Sequence, residues 1–173
     1  MQKSTKKLSV SALAAAIAVA LLCISAVMPT GKLAFAAVAG IGTAAVLIEC
    51  GAVWSLLCFA SAALLGALLA PDKASAAMYI VFFGYYPLVK GLIEKKRFPI
   101  ALEWVLKLLV FNAAFALIFA MWKLGFVQVG FEKGYAIPIL VAAGNFLFAV
   151  YDYGFSKLIG FYIRRVSRHI KKR

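Results

Sequence analysis

Apolar residues run along this chain in long stretches, and the polar residues between them recur at intervals close to the thickness of a bilayer. Crossing the hydrocarbon core as a helix takes about 20 apolar residues, range about 17–25. The pattern predicts six such helices, over about 8–28, 33–49, 52–70, 74–94, 100–123 and 135–160. The breaks are Pro29-Thr30-Gly31, Cys50-Gly51, Pro71-Asp72-Lys73, Arg97-Phe98-Pro99 and the stretch 125–134 with Gly130, Glu132 and Gly134. All are turn formers. The slightest is Cys50-Gly51, but one helix over 33–70 would be about 57 Å long at 1.5 Å per residue. A tight hairpin is therefore expected there.

Composition agrees with this pattern. With 173 residues, 65% hydrophobic and a mean hydropathy of +0.98, the chain has more apolar surface than one water-soluble core can hide. The expected class is an all-α integral membrane protein, a single six-helix bundle whose main partner is the lipid bilayer. The net charge of +13 does not point to nucleic acid, because 14 of the 19 Lys and Arg fall in three clusters beside apolar runs. These are Lys3, Lys6 and Lys7; Lys90, Lys95, Lys96 and Arg97; and Lys157 with the basic tail 161–173. Six spans bring all three clusters to one face, and the positive-inside rule makes that face, with both termini, cytoplasmic. The other face holds Lys32, Lys73, Lys123 and Lys133. Residues 1–30 also have the form of a leader, but Leu8 to Met28 is longer than the usual ~7–15-residue signal core. The stretch is expected to remain as the first helix of a multi-pass protein of the cell membrane.

Charge inside the apolar stretches is confined to a few positions. Lys90 and Glu94 are four residues apart, as are Glu103 and Lys107, so each pair shares a helix face. The two helices run antiparallel, which lets the pairs also meet across the hairpin. A charge near the bilayer centre costs roughly 2.5–3.5 kcal/mol on insertion scales, and pairing lowers that cost. Two readings follow: lysines snorkelling to the headgroups with the carboxylates following them, or a charged cytoplasmic surface for a partner. Asn112, one turn deeper, is expected to bond between helices. Asp152 is expected to pair with Lys157 or with a lysine of the fourth or fifth helix.

Other patterns concern packing and ligand binding. Ala12, Ala16 and Ala20 lie at four-residue spacing, as do Ala36, Gly40 and Ala44, and Ala62, Gly66 and Ala70. Such faces let helices approach closely, either within the bundle or to a partner. Tyr79, Phe82, Phe83 and Tyr86 form one aromatic stripe, and Phe111, Phe115, Phe119 and Trp122 a second. From these, Tyr79, Phe82, Phe83, Phe115, Phe119 and Trp122 are expected to wall a pocket opening outwards, with Lys123 and Asn145 as its polar groups. The alternative is a lipid-facing aromatic belt. Three cysteines, Cys23, Cys50 and Cys58, give no disulfide framework. Cys50, Glu49 and His169 lack paired ligand spacing, so no metal site is expected. No catalytic triad, phosphate loop or zinc motif is present, so neither catalysis nor a cofactor is expected.

The Ala12, Ala16 and Ala20 strip, the six spans and the stretch MPTGKLAFAAVAGIGTAAVLIECGAVWSLLCFASAALLGALL resemble the substrate-binding S components of energy-coupling factor transporters. The loop PTGK is short for a lid. The resemblance implies that Ala12, Ala16 and Ala20 dock onto a transmembrane coupling protein driven by two cytoplasmic ATPases. It also implies that a small organic, vitamin-like ligand is held towards the outer face by the later helices. The competing expectation is a non-transporting scaffold or assembly protein, which binds partners through its helix faces and charged hairpin.

Overall fold

The computed structural model describes residues 2–28, 31–96, 98–126 and 137–164. Pro29, Thr30, Arg97, the loop 127–134, the first two residues of the last expected span and the tail from 165 onward, with His169, lie outside the described residues. The described chain is helical: α1 (Gln2–Ile24), α2 (Lys32–Cys50), α3 (Ala52–Leu69), α4 (Lys73–Met78), a π-helical turn (Tyr79–Phe83), α5 (Tyr86–Lys95), α6 (Ile100–Lys123) and α7 (Ile137–Tyr162). Six of its helical stretches are long and apolar enough to cross a membrane, with α4, the π turn and α5 counting as one.

Gly51 alone joins α2 to α3. Its φ of 96° lies where a side chain would strain the backbone, and its N–H caps α2 by donating to the carbonyls of Val46 and Leu47, both at 3.2 Å. The reversal lays α2 against α3, and α1 packs on both. Small residues make the contact close. Ala36, Gly40 and Ala44 of α2 and Ala62, Gly66 and Ala70 flanking or within α3 are all buried. On α1 the buried positions are Ser11, Ala15, Ala18, Val19 and Leu22, so Ala12, Ala16 and Ala20 lie on the outer surface.

The fourth span is the centre of the bundle. Two-thirds of it (67%) is buried, against 11% for α6 and 17% for the last span. Its π turn is closed by Gly84 N–H donating to Tyr79 O at 2.7 Å, an i to i+5 bond that widens the helix by one residue. Gly40 makes room for it. A Cβ there would stand 2.4 Å from the Phe83 carbonyl oxygen, so only glycine lets α2 come this near. α6 leans on the π turn and α5, and α7 packs on α6.

The ends of the bundle are distinct. Lys7 lies near Cys50, and Tyr162 beside Glu49, at one end. At the other, Lys32 pairs with Asp72 at 3.1 Å, and Cys23 Sγ approaches the Leu69 carbonyl.

Candidate functional site

Asp152 of α7 is almost wholly buried and is the hub of an ionic cluster joining three helices. Its Oδ1 accepts hydrogen bonds from Tyr86 Oη and Lys90 Nζ of α5, and its Oδ2 from Lys107 Nζ of α6 at 3.3 Å. Lys107 also donates to Glu94 at 2.9 Å and to Glu103 at 2.6 Å, while Lys90 lies 3.0 Å from Glu94. Both same-helix pairs therefore form, and they also meet across the hairpin. The lysines do not snorkel: their side chains are 2% and 4% exposed. The two glutamates reach the surface, Glu94 at 42% and Glu103 at 26%. Three carboxylates against two ammonium groups leave one formal negative charge, which falls towards the exposed Glu94 edge. Lys157 does not join the cluster and lies over the Tyr153 ring, 5.3 Å from its centroid.

One level further from Glu94 the interior becomes aromatic and then amide. Tyr86 packs on Phe82 and Phe148, with ring centroids at 4.8 and 5.6 Å, and Phe148 stacks on Phe111 at 4.7 Å. Asn112 and Asn145 exchange hydrogen bonds at 2.9 and 3.1 Å. Each amide also donates to the carbonyl four residues earlier, which leaves neither with an idle donor.

Above this aromatic layer, between α2, the π turn, α6 and α7, lies a cavity of about 310 Å³. Its walls are Leu33 and Ala37 of α2, Met78, Phe82 and Phe83 of the fourth span, Phe111, Ala114, Phe115 and Ile118 of α6, and Leu140, Ala143, Gly144, Leu147, Phe148 and Tyr151 of α7. Of the eight residues expected to form a pocket, Phe82, Phe83 and Phe115 line it. Tyr79 turns instead against Phe59 of α3, 6.1 Å away, because the π turn splits the stripe that a regular helix would keep on one face. Phe119 and Trp122 pack on each other at 5.5 Å, with Lys123 Nζ 5.1 Å from the Phe119 ring centroid. Asn145 is held by Asn112. Sequence reasoning missed the α2 wall and Tyr151, for which no local signal exists. Phe111 stands in the second aromatic stripe of the sequence, but Phe148 does not.

Comparison of the chain with protein-family models, characterised proteins and solved structures finds no match. The site stands on its geometry alone.

That geometry has two parts of opposite chemistry. Among the described residues, no group of three His, Cys, Asp or Glu is arranged to hold a metal ion. The carboxylates of the cluster are already bonded to lysine and tyrosine, so the cluster binds helix to helix. The cavity is open space walled by carbon, which is what an apolar ligand requires.

Proposed function

We propose that this chain is the substrate-capture subunit of a multi-component uptake transporter in the cell membrane, with its basic clusters cytoplasmic and its cavity in the outer half of the bilayer. The observation that carries the proposal is the cavity between α2, α6 and α7, whose volume of about 310 Å³ falls at the lower end of small-molecule sites, roughly 300–1,000 Å³. The space is a partly open, carbon-walled cleft between helices, the kind of place where small molecules bind. The outward Ala12, Ala16 and Ala20 face supports docking of a coupling protein through α1, with ATPases supplied by other chains, as in the S components that the sequence resembles.

The same outward face favours a second reading, a scaffold that docks partners and carries no ligand. Native mass spectrometry of protein extracted gently from its own membrane separates the two. Capture predicts a bound small molecule, released on activation, together with a coupling protein and ATPases in the same extract. An empty protein accompanied by other membrane partners would support the scaffold.

A further inference from the structure

We infer that the molecule taken into the cavity is uncharged and apolar, about two fused rings or the same volume of hydrocarbon, and that it arrives from the bilayer through the seam between α2 and α7. This rests on the capture reading and narrows its substrate class.

The lining decides the charge. Among the described residues around the cavity none is ionisable at neutral pH, and the only polar side-chain atom, Tyr151 Oη, is itself buried without a partner. The two groups suited to orient a polar ligand are committed elsewhere: Lys123 lies over Phe119, and the Asn145 amide is bonded to Asn112 and Val141. An anionic or strongly polar molecule would lose its hydration here and have at most the Tyr151 hydroxyl in exchange.

Volume sets the size. An apolar cavity of about 150 Å³ takes up one benzene and stays dry. The space here, about 310 Å³, is roughly twice that, and the Phe111 and Phe148 rings, stacked face over face within 14° of parallel, both line it.

The seam sets the route. Leu33 on α2 and Leu147 on α7 line the cavity while 52% and 59% exposed on the outer surface of the bundle, so the opening is lateral. A second cavity of about 260 Å³, between Ile41, Ala44 and Ile48 of α2 and Phe155 and Leu158 of α7, continues the gap along the same two helices. α7 packs on α6 more closely than on α2.

The test uses fluorine NMR on the full chain in nanodiscs, with a monofluoronaphthalene and the matching fluoronaphthoate as probes. The naphthalene is expected to give a bound resonance absent from empty nanodiscs, and the naphthoate none. Ala143→Trp, at the exposed rim, and Ala114→Phe, inside, should each lower the bound population about fivefold or more. Ala142→Trp, exposed but off the seam, should leave it unchanged. Bound naphthoate without bound naphthalene would overturn the substrate class while keeping capture. No bound resonance from either probe, or one indifferent to Ala143→Trp in a protein that still folds, would overturn the inference. An empty protein in native mass spectrometry would remove the capture reading with it.

Discussion

Lys107 Nζ and Asp152 Oδ2 face each other at 3.3 Å, each about 4% exposed, across two helices and 45 residues of sequence. This contact ties α7, otherwise lightly packed, to the hairpin of α5 and α6. It also gives Lys107 three carboxylate neighbours, Glu94, Glu103 and Asp152. Removing one partner of a buried ion pair leaves an uncompensated charge and costs about 3–5 kcal/mol.

Lys107→Met is therefore expected to lower the thermal midpoint of unfolding in detergent more than any other single change in the cluster. Adding Glu103→Gln should restore part of the loss, because one of the stranded carboxylates is then neutral. Glu94→Gln alone should be mild, since that side chain is 42% exposed. A double variant no better than Lys107→Met would mean that the carboxylates are solvated rather than held.

Close approach of α2 to the π turn predicts opposite outcomes at two glycines. Gly40→Ala drives a Cβ to 2.4 Å from a backbone oxygen, where no side chain can swing aside, and should destabilise by about 1–3 kcal/mol. Gly154→Ala, in α7, meets nothing within 4 Å and should stabilise by up to ~1 kcal/mol as the helix loses a flexible residue. Unfolding midpoints of the two variants, measured side by side, check both signs.

At the opposite end Asp72 caps α4, its Oδ2 accepting from Ser75 N at 3.2 Å and Ser75 Oγ at 2.6 Å, its Oδ1 from Lys32 at 3.1 Å. Burial works to raise its pKa, yet the bonds from Ser75 and Lys32 prevail and hold the carboxyl below its ordinary value of 3.8. The folded-state pKa is thus lower than the unfolded one, so the stabilisation is complete above about pH 4 and is lost as pH falls through the folded value. Asp72→Asn should be less stable than the parent at neutral pH, with the gap closing below about pH 4. A gap independent of pH would show that the charge at Asp72 contributes nothing.

The six long apolar helices were legible because their apolar stretches and the polar breaks between them are written along the chain. The Lys90, Glu94, Glu103 and Lys107 contacts were legible for a related reason: helical spacing fixes two of them, and a short hairpin fixes their level. Asp152 could only be assigned a choice of partners, because the rotation of α7 about its axis decides which one it meets. The π turn left no trace in the apolar pattern, and its extra residue is what sends Tyr79 to α3 while Phe82 and Phe83 stay on the cavity. The three small-residue faces read identically in sequence, yet those of α2 and α3 are buried and that of α1 is not. Which face is outside depends on packing among all six spans.

If the cavity holds a ligand, two phenylalanines four residues apart on α6 should differ in their effect on it. Phe115 lines the cavity and Phe119 does not. Native mass spectrometry of the parent, Phe115→Ala and Phe119→Ala proteins, extracted identically and compared at equal folded amounts, reads ligand occupancy. Phe115→Ala is expected to lose most of the bound molecule while Phe119→Ala retains it. Equal occupancy in all three, or loss in Phe119→Ala alone, would contradict it.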